Sequence, residues 1–155
     1  MKPGLFSLIA LMIPLAGIFP VEAGEVLHLR QLLATNICHR CDLSEMNLQG
    51  ASLHQARLVG TTFLAARLSN ADLSKSDLTQ AALIQADLRQ VNFSGAKMHL
   101  TKLYGANLTR ANLSYANLQR ADLRNANLSN ADLRGADLRG ANLTSAIMPD
   151  GVLRN

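Results

Sequence analysis

Residues 121–140 read ADLRNANLSNADLRGADLRG. They are four units of five, each opening on Ala, continuing with Asp or Asn, and then placing Leu. Carried outward from here, the register holds without insertion. A large apolar residue stands at every fifth position from Leu43 to Leu153, 23 positions in all. It is Leu except at Phe63, Phe93, Met98 and Met148. Two residues before it comes a small residue, usually Ala, and the residue between is mostly Asp or Asn.

A period of five suits neither a straight helix nor a straight strand. Five helical residues turn through about 140° net, so the leucines spiral round the rod instead of forming a stripe. In a strand an odd repeat sends successive leucines to opposite faces. The pattern closes if each unit is a short extended side followed by a corner. The small residue and the Leu then point inward, the Asp or Asn points outward, and two residues turn the corner. Sides joined this way coil into a solenoid in which equivalent positions stack.

These units, Ala121-Asp122-Leu123-Arg124-Asn125 and Ala131-Asp132-Leu133-Arg134-Gly135 among them, resemble the A(D/N)LXX motif of the pentapeptide-repeat family. The resemblance covers residues 41–155. It implies an all-β fold: a right-handed, four-sided parallel β-helix with four units per coil. Roughly 28 Å of rod follows at ~4.8 Å per coil. One expected core ladder runs through Leu73, Phe93, Leu113 and Leu133. The low aromatic content, 4% with no Trp, fits a narrow interior filled by Leu and Ala.

Three segments are expected. Residues 1–23 read as a secretory signal peptide: Lys2 at the start, an apolar run from Leu5 to Phe19, and Val21-Glu22-Ala23 before a cut after Ala23. An uncleaved anchor is the competing reading, but the run is short for a span and Glu22 and Glu25 follow it. Cleavage leaves the net charge at +4, because Lys2 and Glu22 are both removed. Residues 24–40 form an N-terminal cap. Within it Glu25–Thr35 is expected to be helical, with Val26, Leu29, Leu32 and Leu33 on the face that covers the first coil. Residues 41–155 are the repeat domain.

Cys38-His39-Arg40-Cys41 is a CxxC motif. A structural disulfide or a pair of buried thiols, a redox motif, and a metal site are all open at this point. The redox reading lacks a thioredoxin-like βαβ context. Covalent haem fails because Asp42 follows Cys41. Zinc wants four ligands, and only His39 and a folded-back His28 are near.

On the outer surface, residues twenty apart should stack. One corner then carries Ser44, Leu64, Ile84, Tyr104, Arg124 and Thr144. Leu64, Ile84 and Tyr104 form an outward apolar ladder, a candidate contact surface widened by Ala65 and Ala82. Leu100 and Tyr115 are expected on other sides, isolated. Arg110, Arg120, Arg124, Arg134, Arg139 and Arg154 crowd the last third, but Asp122, Asp132, Asp137 and Asp150 are interleaved, as on a solvated mixed-charge face. The Asn-Leu-Ser/Thr glycosylation triplets are by-products of the repeat. No catalytic set, metal set or cofactor motif is expected, and His54 and His99 fall in corner slots on different sides. Ile147, Met148 and Pro149-Asp150-Gly151 break the motif and read as a C-terminal cap or a dimer seam.

The function expected is a non-enzymatic, exported scaffold. It would bind a protein partner, or a second copy of itself, through the stacked surface. The entry segment around Leu32 to Leu43 is similar to that of family members from oxygenic photosynthetic bacteria, which implies the periplasm or thylakoid lumen. Other members mimic DNA and protect topoisomerase. That activity wants a strongly negative cytoplasmic rod, so nucleic-acid mimicry is disfavoured, and no nucleic-acid partner is expected. A CxxC thiol-redox protein is the remaining alternative.

Overall fold

The computed structural model describes residues 23–154. The expected signal peptide therefore lies, except for Ala23, outside the described residues. Helix α1 runs Ala23–Thr35, so Ala23, expected to end the signal peptide, opens the helix. Leu32 is buried, and Leu29 packs against the same core as Cys38 and Leu43. Leu33 is half-buried, and the side chain of Val26 lies outside the description. The helix thus lies over the first coil, as its apolar face requires.

From Ile37 onward the chain coils with a repeat of twenty. Asp42 pairs in parallel with Thr62, Asp72 with Asn92, and Asn112 with Asp132. Four units therefore complete each coil, consistent with four sides. The pairing is a series of one-residue bridges, and no longer strand forms among the described residues. The physical reason is the period itself, since a corner interrupts each side before a second neighbouring pair can form.

The backbone explains the motif. In the unit centred on Leu113, the Ala111 N–H donates to Leu108 O at 2.9 Å and closes the corner. The Asn112 N–H donates to Val91 O on the preceding coil. The N–H groups of Leu113 and Tyr115 donate to Asp132 O and Arg134 O on the next coil. That satisfies four of the five N–H groups. The fifth, on Ser114, is taken by the side chain Oδ1 of Asn112 at 3.0 Å. Asp or Asn therefore stands in the middle slot because the residue two further on has no backbone acceptor. The same bond recurs from the Ser44 N–H to Asp42 Oδ1 and from the Arg134 N–H to Asp132 Oδ1.

The second corner residue has a positive φ, between 53° and 71°, at every fifth position from Arg40 to Ser145. A β-turn of type II needs such a φ at its third residue. None of these positions carries Val, Ile, Thr or Pro, the residues least able to adopt it.

The core consists of the Leu, Phe and Met centres with the Ala beside them, most with essentially no exposure. Its inward polar groups are paired: Thr101 Oγ1 donates to Leu78 O at 3.0 Å, and Ser76 Oγ to Leu73 O at 2.6 Å. Two expectations are corrected at the C-terminal end. Leu153 is not an inward centre. It is 54% exposed and pairs antiparallel with Ile147, because Pro149–Gly151 turns the chain back before another unit can form. Leu133 belongs to the core ladder in position but is only half-buried, as are Leu138 and Leu143, since no further coil covers them.

Candidate interaction face

The corner expected to be apolar is apolar. Leu64 and Tyr104 are 42% and 38% exposed, and Ile84 between them is half-buried. Leu100 is not isolated. It opens the side that ends at Tyr104, and it lines a shallow depression with Ile84 and Tyr104. A centre-to-centre register hides this contact, because Leu100 belongs to the preceding unit's corner while sharing the same side.

Lys102, Arg120, Asp122 and Arg124 border the same depression. Arg124 is fixed twice. Its Nη2 lies 2.8 Å from Asp122 Oδ2, and its guanidinium carbon stands 5.6 Å from the centre of the Tyr104 ring. The hydrogen bonds from Arg124 hold the Asp122 carboxyl below its ordinary range, against the opposing effect of partial burial. Lys102 and Arg120 make no ion pair among the described residues.

One feature of this corner was missed in the sequence. The middle slots beside Leu64, Ile84 and Tyr104 hold Thr62, Ala82 and Lys102, where the motif wants Asp or Asn. Among the described residues, nothing accepts the backbone N–H groups of Leu64, Ile84 and Tyr104. On the same corner, Ser44, Arg124 and Thr144 are capped by Asp42, Asp122 and Asn142. Three successive rungs thus present an apolar side chain together with an uncapped donor. The signal was legible as the missing Asp/Asn at three positions twenty apart.

Three other arginines are committed to ion pairs. Arg89, Arg134 and Arg139 each pair with the Asp two residues before them, at 2.6–2.7 Å. Tyr115, 76% exposed, sits on another corner above Gly135.

A Ser, a His and an Asp do come together elsewhere. His54 Nδ1 lies 2.7 Å from Ser74 Oγ, which donates to Asp72 Oδ1 at 2.6 Å. The order is wrong for a nucleophile, because the hydroxyl proton goes to a carboxylate and no third group orients the imidazole. Partial burial works against the Asp72 charge. The Ser74 hydroxyl and amide, the His54 charge and Asn92 outweigh it and keep the carboxyl below its ordinary range, a poor base. Nearby backbone donors are used as well: Ser74 N–H bonds Asp72, and Lys75 N–H bonds Ser94 O. The set is a surface hydrogen-bond ladder, continued by Asn92 and Asn112.

At the opposite end, Cys38 and Cys41 are joined by a disulfide, and both are buried. Cys38 Sγ lies 3.4 Å from the His28 carbonyl oxygen of α1, a packing contact because a bridged sulfur carries no proton. The Asp42 N–H, which has no preceding coil to bond, donates to His28 Nδ1 at 3.1 Å. Among the described residues, no group of three or more His, Cys, Asp or Glu is placed to hold a metal ion. None of their helices is long and apolar enough to cross a membrane.

A family model for pentapeptide repeats, with eight copies, matches residues 37–74, 71–110 and 106–144. The chain belongs to the pentapeptide-repeat family. Membership implies the right-handed β-helix of the solved members. The chain is similar to the pentapeptide repeat protein Rfr23 of the cyanobacterium Cyanothece 51142, with 27% identity and a TM-score of 0.73. That match covers 75% of this chain and 92% of Rfr23. HetL, a pentapeptide repeat protein of the cyanobacterium Nostoc involved in regulating heterocyst differentiation, is 34% identical over 76% of this chain and 64% of its own, with a TM-score of 0.46. A pentapeptide repeat protein of the Arabidopsis thaliana thylakoid lumen is 26% identical over 90% of this chain and 77% of its own, with a TM-score of 0.33. Comparison with curated proteins gives no match.

Proposed function

We propose that this pentapeptide-repeat protein is a non-enzymatic, exported scaffold that holds a protein partner on the corner of Leu64, Ile84 and Tyr104. The observation that carries this reading is the apolar ladder of Leu64, Ile84 and Tyr104, with Leu100 beside it, on a surface whose other corners are mostly polar. Apolar area grouped in this way marks a contact site more than scattered residues do. A rigid coil behind it needs no ordering on binding, which favours recognition. Export to the periplasm or thylakoid lumen rests on the leader-like residues 1–23 and on the disulfide, since such bonds persist in oxidising compartments.

Affinity capture tests the reading. The purified protein is used as bait against extract of the exported compartment, beside a bait with Leu64, Ile84 and Tyr104 changed to Lys. A partner, or a second copy of the chain, held only by the unaltered bait is the expected result. Identical captures by both baits refute it.

The disulfide favours one other reading, thiol exchange. Cys38 is fully buried and Cys41 is 3% exposed, whereas exchange needs an accessible sulfur. Insulin reduction by the dithiol form at a rate above that of a Cys38→Ser, Cys41→Ser variant would revive it. DNA mimicry is opposed by a net charge of +4.

A further inference from the structure

We propose that the occupant of this corner is a short acidic peptide segment of a protein partner, carrying one large apolar anchor between carboxylates. The inference rests on the scaffold reading above and adds the chemistry of the partner.

Three independent features converge on one corner. The first is the apolar ladder of Leu64, Ile84 and Tyr104, of which Ile84 and Tyr104 share a shallow depression with Leu100. Adjacent rungs stand ~4.8 Å apart, so Leu64 to Tyr104 spans roughly 10 Å, about three residues of an extended peptide. The second is charge. On the C-terminal half of this side, Lys102, Arg120 and Arg124 face a single acid, Asp122, which is bound to Arg124. Lys102 and Arg120 make no ion pair among the described residues. The third is the run of uncapped N–H groups on Leu64, Ile84 and Tyr104. At most other corners a carboxylate or amide oxygen takes the equivalent donor (those of His54, Val59, Ser69 and His99 are also uncapped among the described residues), so the vacant position has the shape of an Asp or Asn side-chain acceptor. A row of donors beside cations suits carboxylate oxygens.

The fold supplies a clean test. Ala82→Asn together with Lys102→Asn restores the family motif, caps the Ile84 and Tyr104 donors internally, and removes one cation. A melting temperature at or above that of the unaltered protein is expected, which separates binding from folding. The probe is a short fluorescein-labelled peptide with one Phe flanked on each side by two Glu, followed by fluorescence polarisation. Binding is expected to weaken with salt and to fall about tenfold or more for the Ala82→Asn, Lys102→Asn protein, for the peptide with Phe replaced by Ala, and for the peptide with Glu replaced by Lys.

A peptide with Gln for Glu that binds equally well overturns the acidic partner. The scaffold reading survives in that case if changing Leu64, Ile84 and Tyr104 to Ser abolishes the binding. Equal binding of the acidic peptide by that Ser variant means charge alone holds it, and then both readings fail. Capture of phosphatidylserine vesicles without binding of any peptide overturns the proposal in favour of a lipid surface. Failure of every peptide to bind overturns it as well.

Discussion

At the scale of single residues, each slot of the repeat answers a stated demand. Asp and Asn recur because one N–H in five has no partner in the coil, and their side chains reach it. Pro149 shows the same logic inverted. It stands two residues after Ile147, which offers no cap, at the one position where a residue without an N–H leaves no donor unpaired. The corner residue with positive φ tolerates Gln, Arg or Asn at a modest cost, whereas β-branched residues fit it badly. Gln90→Val, at an exposed corner with φ 58°, is therefore expected to destabilise by ~1–2 kcal/mol, read from chemical denaturation. Gln90→Gly at the same site should be neutral or better, because Gly adopts that φ freely. Equal stability for the Val and Gly variants would show that the corner does not select against branching. Removing a cap is a separate residue-scale test. Asn112→Ala strips the Ser114 N–H of its acceptor and also breaks the bond to Asn92, so a loss of about 1 kcal/mol is expected.

At the scale of elements, the fivefold register disclosed the repeat, its inward positions and the capping helix, because burial fixes those positions one by one. It overran at Leu153. There the spacing persists but the backbone does not, since spacing alone carries no information about a chain reversal after Pro149. It also misplaced Leu100, because side-by-side contact across a corner depends on how one unit's end abuts the next unit's side. The uncapped donors of Leu64, Ile84 and Tyr104 were legible only once the job of the middle slot was known. The role of His28 had no such signal. A lone His on a helix says nothing about the Asp42 N–H until the helix is seen lying over the first coil. His28→Ala removes the only side-chain acceptor for that N–H among the described residues. The prediction is faster amide hydrogen exchange at Asp42 with little change at Asn112, whose donor is held between coils. Unchanged exchange at Asp42 would mean that the helix does not protect the first edge.

At the scale of the whole molecule, every coil touches only its neighbours, so stability is close to a sum of coil terms and contacts between adjacent coils. Leu113 lies mid-rod with no exposure, and Leu113→Ala is expected to cost ~2–5 kcal/mol, while Leu143→Ala at the half-covered end should cost clearly less. The carboxylates of the rod give a second global test, in pH. Hydrogen bonds from Arg134 hold the Asp132 carboxyl down at about 2, from an ordinary value near 3.8. Arg139 and then Gln119 push Asp137 lower still. Arg89 depresses Asp87, and the Ser44 hydroxyl depresses Asp42. Each group has a folded pKa below its unfolded one. Its contribution is fully present above the unfolded value and is lost as pH falls through the folded value. These carboxylates should therefore leave the melting temperature flat between pH 7 and about 5, then lower it progressively from about pH 4 toward pH 2. The pairs with Arg are exposed and screened, so their share of the drop should shrink as salt is raised. Replacing Asp132 and Asp137 together by Asn keeps the side-chain oxygen for the corner N–H and removes the titration. Circular-dichroism melts of that double variant should show a shallower fall below pH 4 than the unaltered protein. An identical acid profile would place the pH sensitivity on other groups, outside these two caps.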